Sequence, residues 1–559
     1  MTEIRIGVFI CHCGRNIGAY IDVPQVVEYA KQLPDVVHAE HNLYTCSEEG
    51  ISAIKKGISE YNLNRVIVAS CTPITHEPLF RSVCEEAGLN KYLFEMVNIR
   101  DQCSWIHMDH PKEATEKAKS LVRAGIARAR LLEPLEETEV EVTPSCLVIG
   151  GGIAGMSAAL NLANQDFDVH LVEKGAQLGG TLLDLNKLFP TNRDAIELIT
   201  PIIDAVNAHD RIKVYLETQV GEITGFVGNF EVTLDHENEE SRVEVGTIIV
   251  AIGAEELKPT GLYGYGEMEG VITQLELEKQ MKEVAVDGQK VVMINCVGAR
   301  VPERAYCGKF CCLTAMKNAT LIKQNNPEAK VWVLDRDVMA YGIEFEDYYR
   351  KAMEAGVRFI KYSLDRPPEV IGNSRVEGVK VYHHLMQKEI VLPSDMVVLT
   401  TPLIPRNSND KLSKILKVPL GQDGFFLEAH LKLQPVEFAT DGIYLCGSAR
   451  WPVDVSEAVF QGFAAASKAA IPLRRGYVKA EAITAYVNEE HCAGCGVCAG
   501  LCPYGAIELK TENDRTVAHV ISALCKGCGT CGAACPSGAM TMNHFKKEQI
   551  FAQIEALLV

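Results

Sequence analysis

The chain has 559 residues, 55 Lys and Arg against 73 Asp and Glu for a formal net charge of −18, and 20 cysteines. At roughly 150 residues per domain, three to four domains are expected, and 47% hydrophobic with 23% charged residues argues against a disordered, collagen-like or low-complexity chain. The acidic balance argues against a general nucleic-acid binder, which needs concentrated Lys and Arg to neutralise phosphates. A disulfide scaffold is usually much shorter, and the N-terminus MTEIRIGVFICHCG does not have the pattern of a signal peptide. No run of 18 uncharged apolar residues suggests a membrane span. Twenty cysteines in a large chain expected in the cytoplasm point to metal or redox chemistry.

Residues 1–140 alternate strand-like and helix-like segments. Buried strands are predicted at 4–10 (IRIGVFI) and 65–69 (RVIVA), with helices at 24–33 and 115–132. Both strands run directly into cysteine-bearing loops, CHCG and SCTP. Ligands of open α/β sheets sit at the carboxyl ends of strands. The acidic connector LEPLEETEVEV marks a boundary near 135–143.

A second α/β unit, 141–478, carries strand patterns at 169–173, 247–253, 291–298, 331–335, 396–401 and 443–447. Its opening VIGGGIAG places Gly150, Gly152 and Gly155 as G-x-G-x-x-G between a strand and a helical pattern, and Glu173 follows at the end of the next strand. Gly150 permits the tight turn, Gly152 lets backbone approach a pyrophosphate, Gly155 lets helix pack on strand, and Glu173 can accept from ribose hydroxyls. The following KGAQLGG, the strand TIIVAIGA and the late GIYLCGSAR resemble the FAD half of two-dinucleotide flavoproteins, with Ser448 where an acid is usual. That resemblance makes FAD the expected cofactor. It marks Gly150, Gly152, Ile153, Ala154, Gly155, Glu173, Lys174, Gly180, Val220, Ala251, Gly253, Gly447 and Asp454 as its candidate contacts.

The second dinucleotide motif of such proteins should follow VVMIN. The chain instead reads NCVGARVPERAYCGKFCC, placing Cys296, Cys307, Cys311 and Cys312 as C-x10-C-x3-C-C. Four thiolates in so short a stretch can enclose one cubane, and the helix predicted at 313–323 would turn its positive end toward an anionic cluster. A redox disulfide and a zinc site are the competing readings, and vicinal Cys311–Cys312 is a strained disulfide pair. Lys317, one turn beyond Cys312, could approach a flavin edge and tune it; a plain surface lysine is the alternative.

The third unit, 479–559, holds C-x2-C-x2-C-x3-C-P twice, at Cys492, Cys495, Cys498 and Cys502 and at Cys525, Cys528, Cys531 and Cys535. In bacterial two-cluster ferredoxins the fourth cysteine of each run ligates the other cluster. The two expected [4Fe-4S] sets are therefore Cys492, Cys495, Cys498 with Cys535, and Cys525, Cys528, Cys531 with Cys502. A pair of zinc sites is the weaker alternative. An amphipathic helix is predicted over 547–558, with Ile550, Phe551, Ile554 and Leu557 or Leu558 as a docking or capping face.

VIGGGIAG, CVGAR…YCGKFCC, VLDRDVMAYG, the double ferredoxin motif and the N-terminal ICHCGRNI, LYTCSEEG, VASCTPITHEPLF and NIRDQCSWIH together resemble the HdrA family, the FAD- and iron–sulfur-containing subunits of heterodisulfide reductases, over nearly the whole chain. The resemblance implies a thioredoxin-reductase-like Rossmann core between an N-terminal α/β iron–sulfur domain and a ferredoxin domain. It also implies a cytoplasmic FAD and iron–sulfur hub, a homodimer within a larger complex, that passes electrons between an electron-donating module and other subunits, in several complexes by flavin-based bifurcation. One further [4Fe-4S] cluster is implied at the N-terminus, on Cys46, Cys71, Cys103 and either Cys11 or Cys13, which makes four in all. Cys84, His76 and His107 are expected to be structural. Many members insert an extra two-cluster ferredoxin domain; here 224–248 runs through GFVGNFEVTL without a cysteine. That absence puts a built-in exit toward free ferredoxin, and full bifurcation by this chain, in question. The alternative function is a self-sufficient NAD(P)H-dependent flavin disulfide reductase. The lack of a second dinucleotide motif and of a C-x2-C beside the flavin counts against it, and a purely structural role for the clusters is weaker still.

Overall fold

The computed structural model describes residues 3–236, 239–284, 290–512 and 515–558. The chain divides into two units, one made of 1–139 with 479–559 and the other of 140–478. The first and last modules therefore fold as a single unit.

In the first unit the strand Ile6–Cys11 is central to a parallel sheet of order Val36–Asn42, Ile6–Cys11, Arg65–Ser70, Phe94–Asn98. Ile6, Val8, Phe9, Ile10, Val66, Ile67 and Val68 are fully buried. Helices cover both faces of a parallel sheet, so its strands read as unbroken apolar runs. The predicted helices are present at Val23–Ala30 and Pro111–Ala129. Asp22 caps the first by accepting from the Gln25 amide at 3.1 Å.

The ferredoxin module pairs Ala485–Val487 with Met540–Met542 and Ile507–Glu512 with Arg515–Val520. It joins the N-terminal module through polar contacts. Arg128, ion-paired with buried Glu95, donates to the His544 carbonyl at 2.6 Å, and the Tyr92 hydroxyl donates to Glu481 at 2.8 Å. The final helix, Lys547–Leu558, lies against Pro111–Ala129, with Arg123 donating to the Ala556 carbonyl at 2.7 Å and Gln549 to the Leu131 carbonyl at 2.9 Å. It docks through Gln549 and its small residues. The predicted apolar face does not dock: Ile550, Phe551, Ile554 and Leu557 are all exposed.

The second unit contains two Rossmann-type lobes, each a five-stranded parallel sheet with a three-stranded antiparallel sheet. The first sheet runs Ile212–Tyr215, Asp168–Val172, Ser145–Ile149, Thr247–Val250, Ile443–Leu445, and the second Val271–Thr273, Met396–Leu399, Lys290–Ile294, Lys330–Asp335, Arg358–Lys361. The GFVGNFEVTL segment forms a tight hairpin between Thr218–Phe226 and Asn229–His236. The helix Ile153–Ala163 packs closely on Val455–Arg475. A Cβ on Gly462 would stand 2.5 Å from the Ala154 carbonyl oxygen. Among the described residues no helix is long and apolar enough to cross a membrane.

Candidate flavin and iron–sulfur site

The first strand of the flavin lobe, Ser145–Ile149, delivers the glycine turn to the carboxyl edge of its sheet. Gly150 adopts φ 113°, and a Cβ there would lie 2.4 Å from the Ala251 carbonyl oxygen. A Cβ on Gly155 would lie 1.9 Å from the Gly150 carbonyl oxygen, so only hydrogen fits. Gly152 differs: a Cβ there meets nothing within 4 Å and would enter an open cavity. That cavity measures about 1110 Å³ and begins at the N-terminus of helix Ile153–Ala163, where backbone amides favour a pyrophosphate. Glu173 lines it, its two carboxylate oxygens held by the amides of Gly151 at 2.7 Å and Gly175 at 2.8 Å. Open space at the one unblocked glycine and an acid anchored beside it fit an adenine dinucleotide.

Of the other residues predicted to contact the flavin, Ile153, Ala154, Lys174, Gly180 and Val220 line the same cavity. So do Ala251, Gly253, Gly447 and Asp454. Asp454 caps helix Val455–Arg475 through the Glu457 amide at 3.0 Å and accepts from the Tyr341 hydroxyl at 3.0 Å. Gly155 stands behind the wall as a packing residue. Sequence reasoning missed Arg406, which donates to the Ile252 carbonyl at 2.7 Å, and Glu278. Neither lies in a motif; their places come from chain segments far from the glycine turn.

Cys311 and Lys317 line the same cavity. The predicted helix begins at Cys311, running Cys311–Asn325, so Cys311 and Cys312 form its first turn. Lys317 is only 2% exposed, which excludes the surface alternative. Its ammonium pairs with buried Glu278 and donates to the Lys187 carbonyl at 2.7 Å. Burial pushes the Lys317 ammonium below its ordinary value against the pull of Glu278.

Cys296, Cys307, Cys311 and Cys312 are drawn together. Burial raises the Cys311 thiol, and Cys312, Cys307 and Cys296 raise it further. Burial pushes Cys312 up to about 12, with Cys296 and Cys307 adding to it. Thiols that resist one another's ionisation need a cationic centre to become ligands, and iron supplies one. A Cβ on Gly308 would stand 2.2 Å from the Cys311 sulfur, so glycine permits the close passage.

In the ferredoxin module one small cavity is bounded by Cys492, Cys495, Cys498 and Cys535. Burial raises Cys531, and Cys525, Cys528 and Cys502 raise it further, so Cys502 stands with the second run. Backbone amides point at three of these sulfurs: Ala518 to Cys492 at 3.4 Å, Ala485 to Cys525 at 3.3 Å and Ala506 to Cys502 at 3.3 Å.

The N-terminal grouping differs from expectation. Cys11, Cys13, Cys46 and Cys71 come together at the carboxyl ends of the parallel strands. The Cys11 sulfur accepts from the amides of Cys13 at 3.2 Å and Thr45 at 3.4 Å, while Cys46 and Cys71, both raised first by burial, are raised further by Cys11 and Cys13. Arg100 opposes this at Cys71. Cys103 is turned away: its thiol is fully buried, donates to the Ala114 carbonyl at 3.0 Å and is pushed by burial up to about 11. Cys84 is buried in helix Pro73–Glu86. Among the described residues no three His, Cys, Asp or Glu side chains converge as a single metal ion would require. A cubane needs no such convergence, because each iron takes its own thiolate.

The family described as "Pyridine nucleotide-disulphide oxidoreductase" matches residues 144–462, and "4Fe-4S dicluster domain" matches 485–542. The chain is 42% identical to an A-type "CoB--CoM heterodisulfide reductase iron-sulfur subunit" of Methanopyrus kandleri, over 99% of this chain and 98% of the relative. It is 41% identical to the A-type component of the "H(2):CoB-CoM heterodisulfide,ferredoxin reductase" of Methanothermobacter marburgensis, over 100% and 98%. The first alignment runs to 648 positions, longer than this chain, so that relative carries residues absent here. A thioredoxin reductase structure from Lactococcus lactis is 18% identical, with a TM-score of 0.43, covering 59% of this chain and 99% of that one. The chain has a pyridine nucleotide-disulphide oxidoreductase fold that binds FAD, joined to a 4Fe-4S dicluster domain, it is an electron-transferring oxidoreductase that uses flavin and iron–sulfur clusters, and it belongs to the HdrA family of heterodisulfide reductases.

Proposed function

We propose that this chain is the electron-distributing component of a heterodisulfide-reductase-type complex, with one FAD and four [4Fe-4S] clusters. The carrying observation is one cavity lined both by the dinucleotide cradle and by Cys311 and Lys317. Bound there, FAD would supply the exchange between paired and single electrons. The chain's own residues divide the remaining work. Glu173 and the glycine turn anchor the dinucleotide, Lys317 holds a proton-bearing cation at the cavity wall, and the Cys296, Cys307, Cys311 and Cys312 quartet takes single electrons.

The proposed ligand sets are that quartet, the two crossed ferredoxin sets and, at the N-terminus, Cys11, Cys13, Cys46 and Cys71. The domain reading of 1–140, 141–478 and 479–559 assigns one, one and two clusters to the three segments. We further assign the complex to the cytoplasm, as a homodimer joined by an electron-donating module and other subunits. Names of relatives that pair a heterodisulfide with ferredoxin support splitting of electron pairs at the flavin. An NAD(P)H-dependent reductase is disfavoured because Cys296 follows strand Lys290–Ile294 where a glycine turn would be needed.

Iron and flavin analysis of the purified chain tests the reading. About 16 iron and one FAD per chain are expected, at four iron per cubane; about 8 iron would remove both clusters outside the ferredoxin module. Reduction of the isolated chain by NADH would favour the alternative, and co-purification identifies the partners.

A further inference from the structure

The four thiols beside the flavin cavity do not share one electrostatic environment. Cys296 leaves strand Lys290–Ile294 in the left-handed region at φ 62°, and the loop it opens is held by an arginine from the neighbouring strand. Arg336, just past Lys330–Asp335, donates to the carbonyls of Ala299 at 3.2 Å and Arg300 at 2.9 Å. Arg300, itself at φ 55°, donates to Asp337 at 2.8 Å, and Asp337 also pairs with Lys361 at 3.0 Å. Both guanidinium groups therefore lie along the loop that Cys296 opens, Arg336 clamping its backbone at Ala299 and Arg300, and Arg300 turning to Asp337. The backbone carbonyl of Asp337 accepts from the Cys312 thiol at 3.7 Å, so the residue whose carboxylate pairs with Arg300 and Lys361 adjoins this sulfur through its main chain.

An arginine stays charged at any working pH. A four-thiolate cluster gains one negative charge when reduced. A fixed cation at its edge therefore stabilises the reduced form more than the oxidised one, and a fixed anion does the reverse. We propose that Arg300 and Arg336 are positioning residues that raise the reduction potential of the cluster held by Cys296, Cys307, Cys311 and Cys312, and that Asp337 partly offsets them. This rests on the assignment of a [4Fe-4S] cluster to those four cysteines under the proposed function. The step is a one-electron reduction of the cluster with no bond made or broken. In solution the electron comes from dithionite, which is oxidised.

The test is a potentiometric titration of the full chain, loaded with iron, sulfide and FAD, and followed by electron paramagnetic resonance. The signal is assigned by its loss in Cys312→Ala. In Arg300→Gln and in Arg336→Gln the reduction equilibrium is expected to fall about tenfold, 59 mV for one electron. Arg300→Lys restores most of that shift. Asp337→Asn moves the equilibrium the other way. Loss of packing alone would not produce opposite signs at paired residues. Unchanged potentials in the Gln variants with iron retained would overturn the proposal, as would Asp337→Asn shifting in the same direction as Arg300→Gln. If Arg336→Gln opens the loop and loses iron, the Arg300 and Asp337 pair still decides. If Cys312→Ala changes neither iron content nor spectrum, the cluster assignment itself fails and the proposal falls with it; retained iron with unmoved potentials defeats the tuning alone.

Discussion

Lys317 and Glu278 form an ion pair in which both side chains are almost wholly buried, at the wall of the flavin cavity. Glu278 also accepts from the Asn186 amide at 2.9 Å, and Lys317 donates to the Lys187 carbonyl at 2.7 Å, so the pair ties two helices to the 186–187 backbone. Removing one partner leaves the other charge buried alone, which costs about 3–5 kcal/mol. Lys317→Met is therefore expected to lower the denaturant midpoint of flavin release sharply. Lys317→Met combined with Glu278→Gln should recover part of the loss. Purely additive effects in that double-mutant cycle would contradict the coupling.

The glycine turn separates folding from binding. Gly155→Ala drives a methyl group into the Gly150 carbonyl and should reduce both stability and flavin content. Gly152→Ala meets nothing in the protein and should fold normally, yet its methyl enters the cavity. Flavin retention after gel filtration, set beside the circular dichroism melt, checks the contrast. Equal flavin content in Gly152→Ala and the parent would contradict the pyrophosphate assignment.

Single-cysteine variants discriminate between the N-terminal groupings. Cys71→Ser and Cys46→Ser are expected to lose about four iron per chain, the content of one cubane. Cys103→Ser, whose parent thiol faces the Ala114 carbonyl, should keep its iron. Iron loss in Cys103→Ser with retention in either Cys11→Ser or Cys13→Ser would restore the grouping expected from the family resemblance.

His544 lies between Tyr92 and Phe545. Its imidazole is lowered to about 3, first by burial and then by Arg128 and Arg81. It stays neutral in the folded chain while the unfolded chain takes up a proton near pH 6.5. Its contribution is complete above pH 6.5 and is lost progressively as pH falls toward 3, on the order of 4–5 kcal/mol in all. His544→Asn keeps a residue tolerant of the φ 68° found here. Acid titration of the variant by circular dichroism should show a shallower loss of structure between pH 6.5 and 3 than the parent. Superimposable curves would rule the histidine out as the source.

The ferredoxin runs, the C-x10-C-x3-C-C segment and the glycine turn were legible in the sequence because each completes most of its site within one short loop. Local spacing then carries the chemistry, and the family resemblance adds to it. The N-terminal grouping was not legible in this way. Cys11, Cys46 and Cys71 follow three different strands of one sheet, and only the order of those strands brings their loops together. Spacing along the chain could not distinguish Cys71, at the end of a strand, from Cys103, turned into the space beside Pro111–Ala129. The same reason hides Glu278 beside Lys317 and Arg336 beside Cys296, each supplied by a neighbouring element. The apolar stripe of the last helix shows a further limit. Its period established the helix, but packing against Pro111–Ala129 decided which face is covered, and the small-residue face with Gln549 took that place.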